Sequence, residues 1–96
     1  SVRWSGLIQP THSETYTFYT VADDGVRLWV DGVLITNDWS DHSARESSGT
    51  IQLAAGQKVS IVMEYYDNRL DARAQLLWSS PSRPKEIIPA AVLYAE

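Results

Sequence analysis

With 96 residues, 8 basic against 12 acidic side chains, a net charge of −4 and no cysteine, the chain suits one small domain spanning 1–96 with a single modest core. The basic residues are scattered, which argues against a nucleic-acid backbone or an anionic membrane surface as partner, and the lack of cysteine removes disulfide and thiolate chemistry. No apolar run approaches the roughly 20 residues that span a bilayer, so no membrane insertion is expected, and Ser1 in place of an initiator Met reads as the cut end of a longer polypeptide.

Apolar and polar residues alternate at period two wherever a pattern is legible, and turn residues interrupt at short intervals, so strands are expected throughout and no long helix. The first predicted strand runs from about Val2 to Gln9 and the second from about Glu14 to Thr20, with Tyr16 and Phe18 on one face. The Pro10–Ser13 turn between them suggests an antiparallel pair. A third strand places Val26, Leu28 and Val30 on one face and Arg27 and Trp29 on the other. Asp31-Gly32 then supplies the positive φ of a two-residue hairpin returning through Val33–Thr36. The polar stretch from Asn37 to Gly49, with Trp39 and His42, reads as a long loop, and long loops are often functional.

Thr50–Leu53 and Lys58–Tyr66, joined by Ala54-Ala55-Gly56-Gln57, read as another hairpin, with Val59, Ile61, Met63 and Tyr65 on one face. Asp67–Asp71 is a connecting loop, and Ala72, Ala74, Leu76 and Trp78 form the inward face of the last full strand. Pro81, Pro84 and Pro89 bar a regular central strand beyond it, so the tail should lie along the sheets and end in Val92-Leu93-Tyr94. About seven short strands with frequent turns imply an all-β fold, an antiparallel β-sandwich or small barrel.

The chemistry concentrates at Ala22-Asp23-Asp24-Gly25. Adjacent carboxylates repel unless a cation or several backbone donors satisfy them, so the pair implies either a hard metal ion or an Asx-type turn bonded to its own backbone. Of the four tryptophans, Trp78 and Trp4 read as core, whereas Trp39 in the polar stretch and Trp29 on the outward register are better placed to stack on sugar rings. His12 and His42 lie far apart with no cysteine beside them, which disfavours zinc. Asp38 and Asp41 flank Trp39, yet no spacing singles out an opposed catalytic pair, and there is no nucleophile elbow, phosphate loop or Cys-His arrangement. No enzyme activity is expected.

Five ordered motifs carry a resemblance: Tyr16-Thr17-Phe18, the run from Asp23-Asp24-Gly25 to Asp31-Gly32, Leu53-Ala54-Ala55-Gly56, Glu64-Tyr65-Tyr66 and Leu76-Leu77-Trp78-Ser79. From Gly6 to Leu93 the chain resembles the protective-antigen fourteen-kilodalton domain family. That resemblance implies a jelly-roll-like antiparallel β-sandwich of secreted toxins, glycosidases, adhesins and receptors, often a carbohydrate-binding module. In the family's sugar-binding adhesins a pair of aspartates, often joined by a cis peptide, holds a calcium ion that chelates sugar hydroxyls with help from an asparagine. Asp23 and Asp24 match the pair, and Asn68, or alternatively Asn37, matches the helper.

The family also carries an opening N-terminal strand, so this stretch is expected to lack one edge strand of its sandwich. Without cysteines or the adhesins' sugar-contacting loops, it resembles the bacterial enzyme- or sensor-associated branch. The expected function is therefore calcium-assisted binding of glycan or polysaccharide at the cell surface or outside the cell. Asp23, Asp24 and Asn68 would hold the metal, and Trp39, Tyr66 and Arg69 would contact sugar at the same edge. The alternative is a structural or protein-interaction module packed against neighbouring domains of the parent chain.

Overall fold

A computed structural model describes residues 2–40, 43–66 and 74–95. Among these residues nine strands form two antiparallel sheets that face each other: β1 (Val2–Ile8), β2 (Glu14–Ala22), β3 (Val26–Val30), β4 (Val33–Asp38), β5 (Arg45–Leu53), β6 (Val59–Tyr65), β7 (Ala74–Ser80), β8 (Arg83–Ile87) and β9 (Leu93–Tyr94). One sheet has the order β4-β3-β6-β1-β9 and the other β5-β2-β7-β8, which is the all-β sandwich that the alternation implies. A single 3₁₀ turn, Ala90–Val92, precedes β9, and no helix among the described residues is long and apolar enough to cross a membrane.

The inward registers are those the period-two pattern predicts. Val26, Leu28 and Val30 of β3, Val59, Ile61 and Met63 of β6, and Tyr16 and Phe18 of β2 are buried. Trp78 sits at the centre, fully buried, stacked on Tyr16 at 4.9 Å between ring centroids and tilted against Phe18 at 6.1 Å. The Asp31-Gly32 hairpin forms with positive φ at both residues, 51° and 76°, which matches the right-handed twist of the flanking strands. Pro84 is accommodated because β8 is an edge strand, where a missing N–H faces away from the ladder.

Four expectations give way. β1 and β2 do not pair: β1 lies between β6 and β9, and β2 between β5 and β7, so the two strands belong to opposite sheets. Likewise β5 and β6 are not a hairpin but another passage between sheets. Period two locates an inward face, and two strands facing each other across a core show the same pattern as two strands side by side. The two passages are tied to each other: Gly56 N–H donates to the Pro10 carbonyl at 2.8 Å, Gln9 Nε2 to the Gly56 carbonyl at 2.8 Å, and Ala55 N–H to Ser13 Oγ at 2.9 Å.

The third is the supposed loop from Asn37 to Gly49, of which β4 takes Asn37–Asp38 and β5 takes Arg45–Gly49. Both are edge strands, and the parts of them that fall in this stretch carry no large apolar residue, so its hydropathy resembles a loop. Beside a bulge in β4, between the pairs Leu28↔Thr36 and Trp29↔Leu34, Ile35 approaches β5. A Cβ on Gly49 would overlap the Ile35 carbonyl and lie 2.8 Å from its Cγ2, so glycine lets the two sheets close along this side. Trp4, expected in the core, is 38% exposed on the other side.

Trp78 donates its indole N–H to Glu86 Oε1 at 3.1 Å and Arg83 donates to the same oxygen at 2.7 Å, which together hold the Glu86 carboxyl below its ordinary value of 4.5. A carboxylate depressed by folding contributes stability that is complete above its unfolded value and is lost as pH falls through the lower folded one. The melting-temperature gap between the wild type and Glu86→Gln is therefore expected to hold at neutral pH and to shrink steadily below about pH 4.5. A gap that stays constant from pH 7 to pH 3 would overturn that assignment.

Candidate functional site

The chain passes from β2 to β3, and so from one sheet to the other, through Asp23-Asp24-Gly25. Asp24 takes a left-handed backbone, φ 69°, which aspartate tolerates better than most residues. It is 6% exposed and has an interaction partner, whereas Asp23 is half-buried. Among the described residues no peptide bond is cis, so the Asp23–Asp24 link is trans rather than the cis form that the resemblance suggested.

Gly25 is buried against the ring of Tyr66, the residue just past the end of β6, and Tyr66 N–H donates to the Gly25 carbonyl at 3.0 Å. A side chain at position 25 would overlap that ring, so glycine is what allows Tyr66 to lie on the aspartate corner. The edge of one ring then meets the other: Trp39, just past β4, packs on Tyr66 at 4.7 Å between centroids and 64° between planes. Arg27, on the outward face of β3, sets its guanidinium 4.1 Å from the Trp39 ring centroid and donates through Nε to Asn37 Oδ1 at 3.3 Å.

The corner therefore brings together Asp23, Asp24, Tyr66 and Trp39, four of the residues singled out from sequence. Asn68 and Arg69 lie outside the described residues, as does Asp41. Arg27 was visible in the sequence only as an outward residue of β3, and its role comes from the β3–β4 register, which sets it opposite Asn37. Asn37, the alternative metal helper, spends its side-chain oxygen on Arg27. Asp38 is engaged by Arg45 through both its oxygens and accepts Ser47 Oγ at 3.2 Å, so this carboxylate is tied into the scaffold and not aimed at a reacting group. Trp29, the other stacking candidate, is half-buried on the outward register.

Among the described residues no group of three His, Cys, Asp or Glu side chains converges. Two adjacent carboxylates are hard oxygen donors that suit calcium, and most of the six to eight oxygens such an ion takes would have to come from backbone carbonyls, an amide, water or a bound hydroxyl. The donor chemistry fits the ion in kind, with the described side chains supplying a minority of the shell.

The corner thus sets the Trp39 indole, 36% exposed, the Tyr66 ring and the Arg27 guanidinium beside two acids. A family model, the PA14 domain, matches residues 1–91. The chain belongs to the PA14 domain family. It is 60% identical over 94 residues to the anti-sigma-I factor RsgI3 of Acetivibrio thermocellus, covering 98% of this chain and 15% of that protein. A solved "anti-sigma factor domain-containing protein" superposes with a TM-score of 0.94 at 57% identity, over 98% of this chain and 33% of the other. A "PA14 sugar-binding domain from RTX adhesin" shares the fold at a TM-score of 0.77 and 21% identity, over 98% of this chain and 52% of that one. The present PA14 domain thus corresponds to a minor part of the length of the two anti-sigma factor proteins.

Proposed function

We propose that this PA14 domain is a non-catalytic carbohydrate-binding module, extracellular or at the cell surface, within a sensor of the anti-sigma factor type. The observation that carries the reading is the edge-on packing of Trp39 and Tyr66 directly beside the Asp23-Asp24 corner. The exposed part of the Trp39 indole offers apolar surface to the C–H face of a pyranose, while acids and a guanidinium nearby suit its hydroxyls. The adhesin neighbour is a sugar-binding domain, which supports glycan as the ligand class, and the anti-sigma factor relatives support a larger anti-sigma factor protein as the setting. Asp38, locked by Arg45, speaks for binding over turnover.

Calcium, if bound, would be held by Asp23 and Asp24 with Asn68 as helper, and would supply a positive centre for two sugar hydroxyls. Arg69 would contact sugar at the same edge. A lone site of this size binds weakly, because hydroxyls exchange water for protein with little net gain, and repeated domains would raise avidity.

A glycan screen on the wild type and Asp24→Ala, each with calcium and with chelator, tests the reading. Binding is expected for the wild type in calcium and is expected to fall at least about tenfold, or about 1.4 kcal/mol, with chelator or in the variant. The wild type's melting temperature should rise in millimolar calcium and that of Asp24→Ala should not. Equal glycan binding in all four conditions would remove the metal, and no binding in any would remove the glycan.

A second reading, a protein-interaction module packed against a neighbouring domain, is favoured by one observation. Val2, Trp4 and Ile87 are 45%, 38% and 65% exposed along a single side of the sandwich.

A further inference from the structure

The aspartate corner is framed by strand ends from both sheets. Ala22, at the end of β2, pairs with Arg45 at the start of β5. Val26, at the start of β3, pairs with Asp38 at the end of β4 and with Tyr65 at the end of β6. Trp39 and Tyr66 therefore leave the two strands that flank β3, and their rings meet where β3 begins.

Register also decides which way the neighbouring side chains point. Residues opposed across a ladder share a face of the sheet, and Val26, Ala22 and Thr20 are buried. Asp38, Arg45 and Ser47, opposite them, thus lie on the inner faces at the rim of the gap between the sheets. The bulge in β4 is what turns Asp38 inward, since it shifts the register by one and leaves Asn37 opposite Arg27 on the outer face.

Across that gap the polar groups connect. Thr20 Oγ1 donates to Thr36 Oγ1 at 3.3 Å and Ser47 Oγ to Asp38 Oδ2 at 3.2 Å. Arg45 donates through Nε to Asp38 Oδ2 at 2.8 Å and through Nη2 to Oδ1. From Gly49, whose closure against Ile35 is tight, a polar seam thus runs along β4 and β5 to the corner. Apolar contact has no preferred direction, whereas a two-pronged guanidinium–carboxylate bond fixes both distance and orientation. With the Arg45 side chain half exposed, the pair adds little to stability. What it fixes is the end of β4, one residue before Trp39.

We infer that Arg45 is a positioning residue of the binding corner: by holding Asp38 from the opposite sheet, it sets where Trp39 stands against Arg27 and Tyr66, and through that ring the affinity for glycan. Trp39 meets those two groups at 4.1 Å and 4.7 Å, so a shift at Asp38 disturbs both contacts at once. The inference rests on the carbohydrate reading for its ligand and not for its geometry.

Arg45→Lys and Arg45→Met test it, because lysine keeps the charge, methionine keeps an unbranched stem, and neither offers the fork. In both variants the indole N–H resonance of Trp39, identified by its loss in Trp39→Phe, is expected to move while that of Trp78 stays in place. On a polysaccharide array, each spot that retains the wild type is expected to hold either variant at least about fivefold less tightly. Arg45→Met added to Asp38→Ala is expected to move the Trp39 resonance no further than Asp38→Ala alone, because Arg45 acts through that carboxylate. A second shift of the same size would show that it does not. An unmoved Trp39 resonance in both Arg45 variants would overturn the inference with or without a glycan, and so would undiminished retention of both on the array. An array that retains no wild type removes the carbohydrate reading alone, and the resonance then decides the geometry by itself.

Discussion

Trp78→Ala is expected to cost about 3–5 kcal/mol of folding free energy, the range for deleting a fully buried aromatic, measured as the shift in urea midpoint at unchanged slope. A domain of this size holds about 5–15 kcal/mol in all, so the variant should sit near the edge of stability. The reason lies in position as much as in size. Trp78 is the largest fully buried side chain, on β7 next to β2, and it stacks on Tyr16 and tilts against Phe18. Its indole N–H leads to Glu86 and its ring lies 5.4 Å from the Arg83 guanidinium, so it also fastens edge strand β8 to the core. Trp78→Phe keeps a ring in the core but removes the donor to Glu86, so it should fall between the wild type and alanine. A loss under about 1.5 kcal/mol for Trp78→Ala would mean the core is not organised around this ring.

The parts of this fold that could be read in the sequence are those decided by neighbours along the chain. Alternation at Val26, Leu28 and Val30 fixed an inward face, and Asp31-Gly32 fixed a hairpin, because both depend on local geometry. Pairing was misread where it depends on distant segments: β1 finds β6 more than 50 residues away, while the adjacent β2 sits across the core. Trp4 shows the same limit. Its register is inward, as expected, but burial needs a partner sheet overhead, and there the sandwich is open. At the candidate site the aspartates announced themselves through charge, and Tyr66 and Trp39 through family spacing and an odd placement. Arg27 did not, because an outward arginine on a strand is ordinary until β4 brings Asn37 and Trp39 to it.

Gly25→Ala is expected to disable the corner while leaving the sandwich folded. Gly25 does not have a positive φ, so alanine meets no backbone objection, and the conflict is confined to the Tyr66 ring, whose Cζ would lie 2.9 Å from the new Cβ and whose Cε1 and Cδ1 would lie closer still. Relief requires the ring to swing away, which removes the edge that Trp39 packs against and strains the Tyr66 N–H bond to the Gly25 carbonyl. Overpacking of this sort costs about 1–3 kcal/mol in stability, which a thermal melt should detect without loss of the β-sheet circular dichroism. Affinity for whichever glycan the screen identifies should drop at least about tenfold, equivalent to about 1.4 kcal/mol. The double variant Gly25→Ala with Tyr66→Ala isolates the cause: if the clash is responsible, its stability loss will be smaller than the sum of the two single losses, a coupling expected only between groups in contact. Strict additivity, together with an unmoved Trp39 indole resonance in Gly25→Ala, would show that the glycine does not seat the tyrosine and that the aromatic pair is independent of the aspartate loop.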